Sequence, residues 1–285
     1  MSAAARANLS AVRDAARQGE PDRYVAALLA PIEVRADLIA LAAFSADVRA
    51  IPAGVTEPMI GEIRLQWWRD AIEAMPAGAH CGHPIADALA PVVAAGRIET
   101  APLLDLLEAR ALDLYPDPPP DRAAFEAYLD KTETALFRAA DRLVAGAHAR
   151  VASDLLSAVG QTYGMSRLLH DLPRHLARGH LPLPVEWFEH TAIRPGMLLE
   201  GVATADVRVW LAGRCGDTRV TFPALRAGIQ GLPRWRRSSL LPLSMAGTYL
   251  DRIADPRRDP LRDGGAPGML RRMVRMGRAH ARWSI

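Results

Sequence analysis

The sequence predicts an all-α protein, and three observations lead to that prediction. Apolar residues recur at the i, i+3, i+4 and i+7 spacing of a helix through most of the 285 residues. Alanine and leucine dominate, whereas β-branched residues are not enriched. No stretch alternates apolar and polar residues in the way that is typical of strands. With 50% hydrophobic and 24% charged residues, the composition is that of an ordinary globular protein with a sizeable core.

The first helices follow in order from this spacing. Residues 22–51 predict two helices that are separated by a break at Pro31. The next helix begins at Pro58, a residue that the first turn of a helix accepts, and continues through GEIRLQWWRDAIEAM. Trp67 and Trp68 are adjacent on it, so their side chains point about 100° apart. We therefore expect one of them in the core and the other free to line a cavity.

The later helices are placed in the same way. Four helical segments follow: PIADALAPVVAAG, APLLDLLEARALDLY, DRAAFEAYLDKTETALFRAADRLVAG and ASDLLSAVGQTYGMSRLLHDL. A rigid proline turn, YPDPPPD, lies between the second and the third. Shorter helices are expected near 205–215 and 219–230, then LLPLSMAGTYLDRIAD and an arginine-rich helix at about 268–283. Neither a linker nor an internal repeat divides the chain. We therefore expect a single domain over residues 1–285, with its core at about 24–250.

Charge and hydropathy limit the classes of partner. The formal net charge is only +3, whereas a nucleic-acid binder concentrates positive charge in a patch or stripe. The one basic cluster, RRMVRMGRAHARW, is interpreted either as a solvated terminal helix or as a helix that docks on a membrane surface or a partner. The N-terminus lacks the apolar segment of a signal peptide, and no apolar stretch is long enough to span a bilayer. We expect a cytoplasmic protein without a nucleic-acid partner, whose membrane contact, if any, is peripheral and at the inner face.

The stretch LLHDLPRHLARGHLPLP, residues 168–184, carries a pattern of chemical interest. Asp171 stands where the first acid of an i, i+4 pair would lie, but the partner position holds His175, with Arg174 beside it. Acids at i and i+4 share one helix face and can point at one metal ion. Magnesium is usually recruited by one or two carboxylates together with waters and phosphate oxygens. The stretch therefore looks like a magnesium–diphosphate site from which most carboxylates are missing.

The order of the elements resembles the squalene/phytoene synthases, the head-to-head trans-prenyltransferases. The matching segments are GEIRLQWWRDAI, HPIADAL, LLDLLEARALDL, FEAYLDKTETALF and GQTYGMSRLLHDLPRHLARGHLPLP, and the resemblance runs from about Tyr24 to Leu250. It implies an isoprenoid-synthase-type helical bundle around a deep central cavity. In active members, two aspartate-rich segments on facing helices hold the magnesium ions that grip the diphosphates of two isoprenyl substrates, because a diphosphate leaving group needs Lewis-acid neutralisation.

The first of those aspartate-rich segments is degraded here. It should fall in AFSADVRAIPAG, where the family's paired acids would lie at Arg49 and Ala50, and a later acid at Ala53. Only Asp47 remains nearby, offset by about half a turn. Asp47 is therefore a weak candidate for a metal ligand, and an ion-paired or pocket-lining acid is the alternative.

The second segment keeps Asp171, but Arg174 and His175 replace the expected Glu-Asp pair, and Pro173 is expected to interrupt the helix. Asp171 and Asp47 are the metal ligands if there are any, and magnesium is implied only for an active site. Asp171 alternatively forms a salt bridge to a neighbouring arginine. His175 is a candidate acid, base or phosphate contact, or else a hydrogen-bonded structural histidine.

Three arginines suggest a different ligand chemistry. Arg49, Arg174 and Arg178 would repel magnesium, but their guanidinium forks suit direct, metal-free binding of a phosphate. The alternative is a solvated charged face. Gln161 and Tyr163, on the helix that leads to this stretch, are expected to form part of the pocket wall.

The proline-x-histidine of LPRHLARGHLPLP also resembles one branch of the family, which includes the mitochondrial assembly factors for respiratory complex I. GEIRLQWWRDAI points to the same branch. This resemblance implies a non-catalytic or altered member that acts as an assembly or maturation factor, with a respiratory-complex protein as client and an isoprenyl diphosphate or lipid phosphate as ligand. Two alternatives stay open: an active transferase that joins two C15 or C20 isoprenyl diphosphates, and a helical scaffold whose cavity is filled by side chains.

Overall fold

Helices make up most of the described chain, as the sequence predicts. The structure is a computed structural model that describes residues 3–285, with side-chain environments from residue 6, and it contains no strand in that range. The α-helices are α1 (Ala3–Gly19), α2 (Pro21–Leu29), α3 (Ile32–Ala50), α4 (Pro58–Ala74), α5 (Pro84–Ala94), α6 (Thr100–Ala111), α7 (Arg122–Leu129), α8 (Ala135–Ala145), α9 (Ser153–Leu176), α10 (Pro195–Leu199), α11 (Ala205–Arg219), α12 (Phe222–Gln230), α13 (Arg234–Arg237), α14 (Ala246–Ala254) and α15 (Met269–Ala281). The break at Pro31 and the start at Pro58 lie where the sequence predicts them.

Helix α1 is an element that the apolar spacing does not predict, because Val12 and Ala16 are its fully buried positions among the residues whose side chains are described. It packs against α3 through a close approach at its end. A Cβ placed on Gly19 would lie 2.5 Å from the Cβ of Ala46, so only glycine fits there. This contact holds Glu20, the next residue, against α3.

The segment predicted as one long helix after YPDPPPD is instead interrupted by a π-helical turn. Asp130–Thr134 forms this turn between α7 and α8. Single π turns insert one extra residue into a helix and are frequent at functional sites. Helix α9 packs directly on the turn, since a Cβ on Gly160 would lie 2.2 Å from Thr134 Oγ1 and one on Gly164 would lie 3.1 Å from Glu133 Cγ. The turn thereby places Glu133 beside α9.

Helix α9 continues through Pro173 to Leu176, so the predicted interruption at this proline is wrong. The proline lies in the last turn of the helix, where its missing N–H removes one hydrogen bond, and the backbone still closes with Ala177 N donating to Pro173 O at 3.1 Å. As a result Asp171 and His175 share one helix, as an intact i, i+4 pair would.

The core divides into three clusters of buried apolar side chains. Trp68 is buried in one of them and Trp67 is 38% exposed, which agrees with the expected division of roles. Helix α15 lies close to the predicted range 268–283 and packs against α2 and the 3-10 segment Ser238–Met245. Among the described helices, none is both long enough and apolar enough to cross a membrane.

Candidate functional site

A cleft of about 260 Å³ opens between α3, α6, the π turn and α9. Small residues of α3 and of the following turn, Ala46, Ala50, Pro52 and Ala53, line one wall. Its charged residues are five arginines and three carboxylates, namely Arg49, Arg110, Arg167, Arg174, Arg178, Asp113, Glu133 and Asp171. An open cleft beside Asp171 argues against the alternative of a scaffold whose cavity is filled by side chains.

Asp171 is held by arginines on two helices. Arg49 Nη1 on α3 lies 3.2 Å from its Oδ2, and Arg174 Nη1, one turn along α9, lies 3.1 Å from its Oδ1. Arg167 Nε adds a longer contact of 3.9 Å. Burial works to raise the pKa of Asp171, but the guanidiniums of Arg49 and Arg167 outweigh it and hold the pKa below its ordinary value of 3.8. The carboxylate is therefore ionised and already paired.

Glu20 is the fully buried centre of the charge network behind the cleft. Arg167 binds it with a two-pronged contact, 2.8 Å from each Nη to a carboxylate oxygen, and Ser45 Oγ donates at 3.0 Å. Arg49 Nε approaches to 3.5 Å. Burial works to raise the pKa of Glu20, but the surrounding arginines outweigh it and lower the pKa to about 2. This buried acid fixes Arg167 and Arg49 on the floor of the cleft.

Glu133 is the corresponding acid on the π turn. Arg23 Nη2 donates to it at 2.7 Å, and Arg167 Nη1 and Arg110 Nη2 each approach to 3.5 Å. Asp113, next to the cleft on the other side of Arg110, accepts a hydrogen bond from that arginine at 3.1 Å. All three cleft carboxylates are thus neutralised by arginines of the protein itself.

The donor set does not fit the magnesium that the fold family implies. Mg²⁺ needs carboxylate oxygens that are free to coordinate, and here each carboxylate of the cleft is paired with a guanidinium. Five arginines against three carboxylates leave the lining with a net charge of +2, which repels a divalent cation. Within residues 3–285, no group of three or more His, Cys, Asp or Glu side chains is arranged to hold a metal ion.

The structure does not bring Asp47 to Asp171. Asp47 lines a separate surface cavity of about 410 Å³ together with Trp67 and His83, and its Oδ2 accepts a hydrogen bond from Trp68 Nε1 at 2.9 Å. The half-turn offset along α3 points it away from the cleft that Arg49 lines. The two acids therefore do not form a joint metal site in this conformation.

The cleft brings together four of the other candidate residues, namely Arg49, Arg174, Arg178 and His175. Gln161 and Tyr163 do not line it. Gln161 Nε2 donates to the carbonyl of Glu126 at 2.7 Å. Desolvation lowers the pKa of His175 to about 4, so its ring is neutral at neutral pH. Arg178 Nη2 lies 3.3 Å from His175 Nδ1. The ring is therefore suited to accept a hydrogen bond from Arg178 or from a ligand.

Tyr163 lies on the far side of the Arg49–Asp171 pair, in a second cavity of about 90 Å³. Its hydroxyl donates to Asp22 Oδ2 at 2.9 Å, and Arg272 binds the other oxygen of the same carboxylate. His170 stacks on Tyr249 there, with ring centroids 4.5 Å apart. This buried network joins the N-terminus of α2 to α14 and α15.

Sequence reasoning missed several residues of the site: Glu20, Arg23, Arg110, Asp113 and Glu133. Glu133 lies in FEAYLDKTETALF, and Arg110 and Asp113 lie in LLDLLEARALDL, two of the segments that carry the family resemblance. Membership of these segments was the available signal for those three residues. Nothing local marked Glu20 and Arg23, because they bind Arg167 and Glu133 from helices far apart in the chain.

Comparisons of the sequence and the fold with known proteins point to one family. The family model described as squalene/phytoene synthase matches residues 16–279. Two curated relatives, each named NADH dehydrogenase (ubiquinone) complex I, assembly factor 6, come from Rattus norvegicus and Homo sapiens. Over 170 residues they are 26% and 24% identical to this chain, a match that covers 60% of this chain and 51% of each relative. The chain thus matches about half the length of these curated relatives.

Two solved structures share the fold. Squalene synthase HpnC from Alicyclobacillus acidocaldarius superimposes with a TM-score of 0.73 at 18% identity, covering 89% of this chain and 95% of that one. A dehydrosqualene synthase in complex with ligand superimposes with a TM-score of 0.79 at 16% identity, covering 98% and 97%. At these identities the likeness concerns the fold.

Proposed function

Because this chain belongs to the squalene/phytoene synthase family, we propose that its cleft binds the phosphate end of an isoprenyl diphosphate or another lipid phosphate through arginines. In this proposal the protein is a non-catalytic assembly or maturation factor. The observation that carries the proposal is the position of Arg49, whose guanidinium lies 3.2 Å from Asp171 where a metal ion would otherwise neutralise that acid. A site that supplies its own cation has no need of a divalent one.

The chemistry of the cleft supports a single phosphate headgroup. Arg174 is 54% exposed at its side chain, and Arg178 is exposed as well, so both have N–H groups left for a ligand. Their planar forks match phosphate oxygens in pairs. The neutral ring of His175 lies beside them. A phosphate bound here meets a net positive wall without needing to displace a buried ion pair.

The size of the cleft also supports one headgroup rather than a pair of substrates. Pockets that enclose drug-sized ligands measure about 300–1,000 Å³. At about 260 Å³, this cleft accommodates a diphosphate and the first part of a chain. Two C15 or C20 substrates held side by side need considerably more space. A head-to-head reaction would therefore require the helices to move apart.

A respiratory-complex client is the second part of the proposal. It is supported by the curated relatives, whose names describe assembly of NADH dehydrogenase (ubiquinone) complex I. Since the chain matches about half of their length, the client is the part that most needs a direct test. Deleting the gene from the cell that carries it should reduce assembled, NADH-oxidising complex in membranes. A normal level of assembled complex contradicts the client proposal and leaves the cleft proposal standing.

The competing function is an active head-to-head prenyltransferase. It is favoured by the structural neighbours, which are synthases, and by the presence of Asp171 and Asp113 in one cleft. The two functions differ in diphosphate release from farnesyl and geranylgeranyl diphosphates with magnesium. We expect wild type to release no more than Asp171→Ala. Release that depends on Asp171 rejects the non-catalytic proposal in favour of the transferase.

Ligand binding is tested separately by titrating farnesyl diphosphate and inorganic pyrophosphate by calorimetry, with and without a chelator. We expect the same affinity in both conditions and a loss of about tenfold for Arg178→Gln, since one charge-assisted hydrogen bond disappears. The matched control is Arg226→Gln, an exposed arginine on α12 outside the cleft. Binding that requires magnesium, or that is unchanged in Arg178→Gln, contradicts the arginine site.

A further inference from the structure

The outer surface of α15 carries residues that the packing of this helix does not use. At about 100° per residue, its side chains fall into three sectors. Arg272, Met276 and Ala279 form the buried sector, with exposures of 4%, 0% and 0%. These residues anchor α15 to the protein, which leaves the other two sectors facing outward.

The second sector is apolar and exposed. Leu270 is 75% exposed, Met273 50% and Val274 46%, and Gly277 and Ala281 continue the same face along the helix. In a helix whose outer face contacts only solvent, we would expect polar side chains at these positions. Single exposed apolar residues are ordinary on protein surfaces, but a contiguous strip on one helix face indicates a partner.

The third sector is an arginine stripe directly beside the apolar one. Arg271, Arg275, Arg278 and Arg282 follow at intervals of four, three and four residues, which keeps them on one face. The sequence of α15, MLRRMVRMGRAHA, contains no aspartate or glutamate. Arg275 is partly buried and donates to Ser244 O at 2.9 Å, whereas the other three are exposed. Three exposed arginines, Arg271, Arg278 and Arg282, thus present positive charge beside the apolar strip.

The adjoining surface has the same sign. Arg252, Arg258 and Arg271 line an open cavity of about 580 Å³ at the base of α15. The two aspartates of this cavity are already held by arginines, in the pairs Arg219–Asp251 and Arg257–Asp255. Burial lowers the pKa of Arg252, and the nearby charges of Arg258 and Arg271 lower it further. Asp263 lies 4.0 Å from Arg258 and compensates part of its charge. The lining of the cavity still holds four arginines against two aspartates, which leaves a net charge of +2.

We propose that this face of α15, with the arginine cavity at its base, docks on an anionic phospholipid bilayer. Leu270, Met273 and Val274 would enter the boundary between headgroups and acyl chains, while the arginines beside them contact lipid phosphates. A lipid surface is the occupant that the charges favour, because it is negative everywhere along the stripe. A protein partner would need a continuous acidic strip of matching length. The proposal does not depend on what the cleft at Asp171 binds.

The test is co-sedimentation of the full chain with vesicles of phosphatidylcholine alone and of phosphatidylcholine mixed with phosphatidylglycerol. We expect binding to the anionic vesicles that weakens with salt. Replacing Arg271, Arg278 and Arg282 by glutamine should lower the partition coefficient about fivefold for each arginine. The triple variant Leu270→Gln, Met273→Gln, Val274→Gln should also lose binding. All six positions are exposed, so the fold should persist, and circular dichroism checks this.

Matched controls come from exposed residues elsewhere. The arginine control replaces Arg13, Arg194 and Arg226 by glutamine, and the apolar control replaces Ile63, Val209 and Val220. If these variants lose as much binding as the α15 variants, docking is not specific to α15 and the proposal is wrong. Absence of binding to anionic vesicles overturns it as well. The proposal is also overturned if the apolar triple variant abolishes self-association, measured by sedimentation, while its vesicle binding is unchanged. That result would show that this face of α15 joins two copies of the chain.

A positional probe identifies the surface directly. In a Cys81→Ser background, which removes the exposed thiol and leaves the buried Cys215, a bimane label is placed at Leu270→Cys or at Ile63→Cys. With anionic vesicles containing brominated lipid, we expect a blue shift and quenching at position 270 and no change at position 63. The reverse pattern overturns the proposal and assigns contact to α4, where Met59 and Ile63 are 70% and 63% exposed.

Discussion

Arg49 on α3 and Asp171 on α9 form an ion pair across the cleft, with 3.2 Å between Nη1 and Oδ2. The family resemblance implies that magnesium joins these two helices in active members, through acids on both. Here a guanidinium from one helix takes the place of the metal in joining them. The link between the two helices therefore needs no metal ion.

Restoring an acid at this position should restore sensitivity to magnesium. We predict that Arg49→Asp shows a rise in melting temperature with millimolar MgCl₂, whereas wild type does not, because the introduced carboxylate and that of Asp171 would repel each other until a cation joins them. Arg49→Gln is the control, since it removes the same ion pair without adding an acid. If Arg49→Gln responds equally, or if wild type responds, the guanidinium is not a substitute for the metal.

Removing the carboxylate of Asp171 should strengthen phosphate binding, whereas the loss of a metal-binding acid in a metalloenzyme weakens it. We predict that Asp171→Asn lowers the free energy of unfolding by about 1–2 kcal/mol, a modest loss because Arg49 and Arg174 are partly exposed. It should also strengthen pyrophosphate binding about tenfold, since one negative charge leaves the cleft. Denaturant titration and calorimetry measure the two effects. Asp47→Asn, outside the cleft, should leave pyrophosphate affinity unchanged, and weaker binding in Asp171→Asn contradicts the arginine site.

Acid should destabilise the protein through Glu20. Its pKa falls from 4.5 to about 2 on folding, so the folded state favours the charged form and the stability gained is present above pH 4.5. This contribution is lost as the pH falls from 4.5 to 2, and amounts to about 3 kcal/mol. We predict that Glu20→Gln is less stable than wild type at pH 7, by a difference that shrinks over this range. A difference that stays constant with pH contradicts this, and the exposed Glu189→Gln provides the control.

His170 should affect stability over a higher pH range than Glu20. Burial lowers its pKa from 6.5 to about 4, and its Nε2 has no hydrogen-bond partner among the described residues. As the pH falls, His170 takes up its proton at a higher pH in the unfolded chain than in the folded protein. Its contribution to stability is therefore present above pH 6.5 and is lost as the pH falls to 4. We predict that His170→Phe, which keeps the stacking on Tyr249, flattens the stability curve there by about 3 kcal/mol. His190→Asn, on the surface, should leave the curve as it is; an unchanged curve in His170→Phe refutes the prediction.

The packing of α9 on the π turn should tolerate no side chain at Gly160. An added Cβ would lie 2.5 Å from the backbone Cα of Thr134, so we predict that Gly160→Ala destabilises by about 3 kcal/mol or more and weakens pyrophosphate binding by moving Glu133. Gly213→Ala on α11 is the control, since its Cβ meets no atom within 4 Å and should stabilise by about 0.5–1 kcal/mol. Equal effects of the two substitutions in urea denaturation would contradict the proposed close contact.

The sequence predicted most of the helices from α2 onward because they carry their own apolar periodicity, whereas α1, which buries only Val12 and Ala16 among its described side chains, was not predicted. It also selected Asp171 and Arg174 as candidates, since both lie in one recognisable stretch, and Arg49 through the alignment of a second; the structure places all three at one cleft. It did not predict that Glu20 would lie beneath them, because the contact between Glu20 and Arg167 joins positions 147 residues apart and depends on the close approach of α1 and α3. The expected break at Pro173 was wrong because a proline in the sequence does not show how near the helix end is.

The π turn at Asp130–Thr134 has a consequence for how relatives are compared. One extra residue in a helical turn rotates every later side chain by about 100°, so α7 and α8 keep different phases although they are continuous. A homologue with one residue fewer in this segment would present another position to α9 in place of Glu133. In an alignment, positions of α7 are therefore best numbered from the start of α7, and positions of α8 from the end of α8. A gap of one residue between them marks the presence or absence of the π turn.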